Sequence, residues 1–217
     1  MISKRIKFIA SLISSDDKVL DVGTDHALLP IYLIKNSLAD IADGSDISSE
    51  VLKNAKKNIS KYSLDSKINL YVSDGLKSVS IKNYNTLVIT GMGFFTIKSI
   101  LNDQDLKNIN KMIIQSNNNH EELRRFINSI GFKIVKDAYI LDKGKTYLIL
   151  LVEKGKQKLS DIEYVCGLYS LDNIWYYKYI VKKYKKILNQ VPDNKDESIS
   201  KYIKYFNVYL TTEKTEE

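Results

Sequence analysis

From Lys18 onward the chain alternates short apolar runs with stretches of helical periodicity, and this alternation limits its fold more than any other feature. Lys18-Val-Leu-Asp-Val22, Asp40-Ile-Ala-Asp-Gly-Ser45, Ile68-Asn-Leu-Tyr-Val72, Thr86-Leu-Val-Ile-Thr90 and Lys111-Met-Ile-Ile-Gln115 read as strands. Residues 27–35, 49–62, 94–101 and 120–130 read as helices between and after them, with Ser48 placed as an N-cap and Gly131 as a C′ glycine. Strands separated by helices of this length form a mostly parallel sheet covered on both faces. The last two strands, 133–141 and 146–152, are joined only by a tight Asp142-Lys-Gly-Lys145 turn. So short a connection permits antiparallel pairing alone, which predicts a hairpin at one edge. An amphipathic helix carrying Ile6, Ile9, Ala10 and Ile13 on one face precedes the sheet.

The character changes after Glu153-Lys-Gly-Lys156. Residues 160–211 read as helical, broken at Val191-Pro-Asp-Asn194, so two domains are expected: an α/β domain over 1–156 and a coiled-coil-like helical hairpin over 157–217. Nine of the fifteen tyrosines lie in that hairpin, and five lysines (178, 182, 183, 185 and 186) stand between Ile174 and Gln190 without an acid. The net charge of +7 favours a polyanionic partner, although lysine- and asparagine-rich usage weakens charge as a guide. The single cysteine, Cys166, excludes an intramolecular disulfide and a clustered cysteine metal site. No run approaches the roughly 18 apolar residues of a membrane span. The apolar run Phe8–Ile13 is too short for an export signal, is interrupted by Ser11 and lacks a cleavage site. The chain therefore reads as a cytoplasmic protein with neither membrane nor metal partner.

In a doubly wound sheet, ligands bind beyond the carboxyl ends of the strands where strand order reverses. Asp21 and Asp25 end the first strand, Asp46 the second and Asp74 the third. Asp46 lies about 20 residues beyond the first loop, where an acid accepts ribose hydroxyls; Asp74, before Gly75, could accept from an adenine amino group. Each is also an ordinary turn or cap residue, and the case rests on all of them standing at successive strand ends. The loop Gly23-Thr-Asp-His26 lacks two of the three glycines of a phosphate cradle, and Asp25 would repel a pyrophosphate. A ligand carrying a sulfonium and an ammonium suits it better. The parallel sheet with its terminal hairpin likewise resembles a class I methyltransferase more than a dehydrogenase. Gly91-Met-Gly93 follows the fourth strand, where a methyl acceptor would arrive, and reads equally as a strand-to-helix turn. His26 borders the presumed site, whereas His120 and Cys166 read as structural.

Asp21-Val-Gly-Thr-Asp-His-Ala-Leu-Leu-Pro30, Ser73-Asp-Gly-Leu76, Gly91-Met-Gly93, Gln115-Ser-Asn117 with Leu123-Arg124, and the C-terminal hairpin together resemble the bacterial tRNA (adenine-22-N1)-methyltransferases over essentially the whole chain. Thr24, Leu28, Asp46, Thr90, Phe94 and Ser116 depart from that pattern; the glycine missing at Phe94 bears on the acceptor-side loop. The resemblance implies a Rossmann-like class I methyltransferase that moves a methyl group from S-adenosylmethionine to N1 of an adenine in tRNA; a monomer is expected, although the sequence leaves the oligomeric state open. Asp21, Gly23, Thr24, Asp25, His26, Asp46, Ile47, Asp74, Gly75 and Gly91 are then expected to bind the cofactor. Asp25, His26, Gly91, Met92, Gly93 and Asn117 are expected to orient the cofactor and the base. Lys4, Arg5, Lys7, Lys178, Lys182, Lys185 and Lys186 are expected to meet RNA. The residues leave open a methyltransferase of the same fold with another substrate, and a catalytically silent RNA-binding protein, for which Phe94 and Ser116 speak.

Overall fold

A computed structural model describes residues 2–102, 104–190 and 197–212. Its strands are β1 (Lys18–Val22), β2 (Ile41–Asp46), β3 (Leu70–Val72), β4 (Thr86–Met92), β5 (Lys111–Ser116), β6 (Phe132–Asp142) and β7 (Lys145–Lys154). Its helices are α1 (Lys4–Ala10), α2 (Leu28–Lys35), α3 (Ser49–Lys61), α4 (Phe94–Leu101), α5 (His120–Ser129), α6 (Asp161–Cys166), α7 (Ile174–Leu188) and α8 (Glu197–Thr212). The strands form one sheet in the order β3-β2-β1-β4-β5-β7-β6. The first five run parallel, and β7 pairs antiparallel with both β5 and β6. Among the described residues no helix is long and apolar enough to cross a membrane.

The expected fold class holds. Side chains alternate across the sheet with the period of two that strands impose. Leu20, Leu87, Ile89, Met112, Ile114 and Leu150 join one core, while Val19, Val88, Ile113 and Ile149 join a second core that takes in residues of α1 and α2. Lys143 and Gly144 both have positive φ, 49° and 76°, the geometry of a two-residue hairpin whose twist matches its strands. Strand order reverses between β1 and β4, so a crevice is expected beyond their carboxyl ends.

Several boundaries differ from the expectation, each for a local reason. The third strand begins at Leu70, because Asn69 N–H donates to Asp43 Oδ1 at 2.7 Å instead of joining the ladder. The same carboxylate accepts from Tyr84 OH at 2.7 Å, which explains how polar β2 can be buried. The fourth strand continues through Met92: the pairing shifts between Thr90 and Met92, and Gly91 takes a φ of 86° within this bulge instead of starting a turn. A bulge in β6 between Ile134 and Lys136 puts Asp137 and Tyr139 on the same side as Ile134.

The C-terminal helical stretch also breaks at Gly167, whose φ is 87° and whose missing Cβ would collide with the Asp137 carboxylate. The turn expected at Val191–Asn194 lies outside the described residues. Helices α7 and α8 pack antiparallel, with ring centroids 5.6 Å apart for Tyr184–Tyr202 and 5.3 Å for Tyr177–Tyr209. Tyr177, Ile180, Val181, Phe206 and Tyr209 belong to the same core as β5, β6 and β7. Arg124 of α5 lies wholly buried at that junction. Its Nε and Nη2 reach Asp137 at 2.7 and 3.2 Å, Nη2 also reaches Tyr139 OH, and Nη1 donates to the carbonyls of Tyr164 and Val165. Burial works against the guanidinium's charge, but Asp137 and Tyr139 more than reverse this and hold its pKa well above the ordinary value. Asp137→Ala would leave that charge buried and unpaired, and should lower the unfolding free energy in urea by about 3–5 kcal/mol.

Candidate active site

The carboxylates at the ends of the first three strands stand in different surroundings. Asp21 is buried, and its Oδ2 accepts from Thr24 Oγ1 at 2.7 Å. Burial pushes its pKa up to about 6, against the lowering effects of the Thr24 hydrogen bond and the Arg5 charge. Gly23 turns the chain with a φ of 74°, and the N–H groups of Gly23 and Thr24 both donate to Ser45 O, at 2.8 and 2.9 Å. A side chain at Gly23 would strike the methyl of Met92. Asp25 takes a φ of 52°, in the left-handed region that few non-glycine residues adopt. Its N–H points at Asp46 Oδ2, 3.4 Å away, while Asp46 Oδ1 accepts from Ser48 N–H at 2.9 Å. His26 is exposed, with Nε2 3.6 Å from Asp25 Oδ1. Asp74 is exposed and ion-paired to Lys77 at 2.5 Å.

Two cavities meet at Gly23. The larger, about 480 Å³, is lined by Gly23, Asp46, Ile47, Asp74, Gly75 and Met92 on one side and by Phe95, Thr96, Ser99 and Ile100 of α4 on the other. The smaller, about 240 Å³, is lined by Arg5, Asp21, Thr24, Asp25, His26 and Gly91 among others. An apolar slot with a carboxylate at the end of β2 suits an adenosine, with Asp46 accepting from the ribose. A pocket with two carboxylates suits a cation. Among the described residues no three histidine, cysteine or acidic side chains gather as metal ligands.

The polar frame between β4 and β5 is built on Gln115, which is fully buried. Its Oε1 accepts from Gly91 N–H at 3.1 Å and from Arg5 Nη1 at 3.0 Å. Its Nε2 donates to Asn117 Oδ1 at 3.0 Å, and Asn117 Nδ2 donates to Gly91 O at 2.9 Å. Gly93 and Asn117 line neither cavity: Gly93 starts α4, where Phe94 N–H donates to Asn118 Oδ1, and Asn117 faces a cleft beyond β5. The two departures that favoured a silent protein fall outside both cavities. Phe94 is buried against Phe126 in the core, and the Ser116 hydroxyl donates to Asn118 O at 2.7 Å.

Arg5, expected on RNA, instead turns inward to Gln115 and lies over the Tyr147 ring at 4.8 Å. Lys4 and Lys7 are exposed on α1, and Lys178, Lys182, Lys185 and Lys186 are exposed on α7. Sequence reasoning missed Gln115 and the α4 wall. The signal for the wall was available, since Phe95 and Ser99 stand one helical turn apart. Gln115 was visible only as part of the Gln115-Ser-Asn117 motif; its bracing role was not, because beyond neighbouring Asn117 its partners lie 24 and 110 residues away.

A sequence model of a methyltransferase domain matches residues 2–150. A Mycoplasma genitalium protein assigned as a tRNA methyltransferase is 35% identical over 158 residues, covering 71% of each chain. The tRNA (adenine(22)-N(1))-methyltransferase of Bacillus subtilis is 28% identical, covering 71% of this chain and 66% of its own. The structure is similar to that of M. capricolum TrmK in complex with S-adenosyl-homocysteine, with a TM-score of 0.83, 31% identity, and 97% and 98% of the two chains covered.

Asp21 makes the site's electrostatics measurable. With a folded pKa near 6, above the ordinary 3.8, the folded chain keeps a proton that the unfolded chain releases between those values. Stability is therefore lost as pH rises from about 4 to about 6. Asp21→Asn should remove this slope, gaining about 3 kcal/mol on the wild type between pH 4 and pH 7 in urea denaturation. Parallel stability curves would show that Asp21 titrates normally.

Proposed function

The chain belongs to the tRNA (adenine-22-N1)-methyltransferase family, and from that premise we propose that it methylates N1 of an adenine in tRNA, at position 22, using S-adenosylmethionine. The observation that carries this reading is the meeting of the two cavities at Gly23, one shaped for an adenosine and the other lined by Asp21 and Asp25. When bound, S-adenosylmethionine supplies a methyl group on a sulfonium. Asp46, Ile47, Asp74 and Gly75 would hold its nucleoside, and Asp21, Gly23, Thr24, Asp25, His26 and Gly91 its charged end.

The acceptor asks for positioning more than for acid–base chemistry. Adenine N1 carries an in-plane lone pair at neutral pH, so the chain need not take a proton from the base. It must draw the base out of folded RNA and hold N1 in line, and positioning of this kind contributes roughly 7–11 kcal/mol to a barrier reduction. Gly91 and Met92 line the two cavities and give the base close approach to backbone, while Gly93 starts the helix behind them and Asn117, locked by Gln115, holds the Gly91 carbonyl in place. Asp25 and His26 orient the reacting groups, and the carboxylates favour a base that becomes cationic. The helices beyond residue 156 serve as the tRNA-contact module, with Lys178, Lys182, Lys185 and Lys186, joined by Lys4 and Lys7, attracting phosphates. This reading takes the enzyme as a cytoplasmic monomer: tRNA is its substrate, and both cavities are lined from one chain.

Incubation with unmodified tRNA transcripts and labelled cofactor should give a methylated adenine at position 22 when the product is mapped. Tight cofactor binding without methylation of any tRNA would sink the enzymatic reading. Asp46→Ala removes the carboxylate that orders both the Asp25 loop and the start of α3, and should weaken cofactor binding in calorimetry by about 1.5–3 kcal/mol. Neutralising the four α7 lysines should raise KM for tRNA and flatten its salt dependence without changing cofactor affinity. Unaltered tRNA kinetics would make those lysines structural.

A further inference from the structure

Beyond the carboxyl end of β5, the β6–β7 turn and α7 enclose a third cleft of about 420 Å³, lined by Asn117, His120, Lys145, Tyr147, Tyr179 and Lys183 among others. It contains no acidic side chain. Lys145 and Lys183 are exposed at its rim, and Tyr179 is 50% exposed. Tyr176, beside Tyr179, is held flat against Tyr139, with centroids 3.5 Å apart and an interplanar angle of 11°. The Arg5 guanidinium lies over Tyr147. His120 is pushed down to about 4 by burial and by the Arg124 charge, so its imidazole is neutral in the cleft at pH 7. Rigid aromatic faces, neutral hydrogen-bonding groups and lysines without acids are the composition that takes a base by stacking and its phosphates by charge.

Position separates this cleft from the methyl-acceptor pocket. It is centred over β5 and β7, the second and third strands out from β1, roughly 10–15 Å at 4.8 Å per strand. Reacting atoms must come within about 3–3.5 Å, so a base here lies outside the reach of the β1 loop. Asn117 joins the two places: it hydrogen-bonds to Gly91 and also lines the cleft. Helix geometry also separates the lysines of α7. At roughly 100° per residue, Tyr176, Tyr179, Ile180 and Lys183 share one face, whereas Lys178, Lys182, Lys185 and Lys186 are centred about a third of a turn away.

We propose that this cleft binds a nucleotide of tRNA flanking the target adenine, with its base on Tyr179 and its phosphates on Lys145 and Lys183. The proposal rests on tRNA being the substrate. Binding of an unmodified tRNA transcript to the full chain, measured by filter retention across salt concentrations with methylation followed in parallel, tests both ideas separately. Tyr179→Ala should weaken tRNA binding about tenfold, while Tyr179→Phe, which keeps the ring, should bind like the wild type. The double variant Lys145→Ala/Lys183→Ala should lower the slope of log K against log salt by about 2. Cofactor affinity should be unchanged in all three. A Tyr179→Ala protein that binds tRNA as tightly as the wild type overturns the proposal, as does an equal loss in Tyr179→Phe. Wild-type protein that binds tRNA without methylating it overturns the enzymatic reading instead, and the cleft is still judged by the binding comparison.

Discussion

Arg124 is a full charge with no access to water, and the outer edge of the sheet is organised around it. A buried guanidinium is tolerable only when its donors are satisfied, and it has five of them. Asp137 and Tyr139 supply three contacts from β6, and the carbonyls of Tyr164 and Val165 supply two from α6. The same Asp137 requires glycine at position 167, where the chain turns out of α6 towards α7. Asn173 locks the next turn, accepting from Tyr139 N–H and donating to Asp137 O. The Arg124–Asp137 pair and Asn173 thus tie α6 and the turn before α7 to β6.

Gln115 plays the corresponding part at the centre of the molecule. Its side chain touches α1 through Arg5, the β4 bulge through Gly91 and the end of β5 through Asn117. Helix α1 is anchored in turn by Asp142 of the β6–β7 hairpin, which accepts from Arg5 N–H at 3.3 Å. The bulge at Gly91, helix α1 and the cleft beyond β5 are therefore linked by direct hydrogen bonds. The proposed methyl transfer, which asks mainly for positioning, would need such support, because small displacements of a reacting group cost rate directly.

The carboxylates show how one residue type is given separate tasks. Asp43 is spent on structure, accepting from Asn69 and Tyr84. Asp46 holds two backbone N–H groups and keeps the Asp25 loop in its left-handed turn. Asp21 is buried and titrates near 6, while Asp25 stays in water. Their spacing along the chain does not distinguish these roles; burial and hydrogen bonding do.

Much of this protein was legible in the sequence because the relevant physics is local. Strand and helix periodicity, the Lys143-Gly144 hairpin turn, the Ser48 cap and the aspartates at successive strand ends follow from neighbours a few residues apart, and motif spacing carried the family resemblance. The aspartates at the ends of the first three strands line two adjoining cavities for that reason, since a parallel sheet brings its strand ends to one edge. The tertiary structure alone decided that Arg5 points inward, that Gln115 braces the site, and that Phe94 leaves both cavities open. It also decided that Lys183, and not the other α7 lysines, faces the cleft. Each of these depends on pairing between residues far apart in the chain, or on a bulge that switches which face a side chain occupies, as at Val135. Hydrophobic pattern does not encode such shifts, because one inserted residue reverses the face of everything after it.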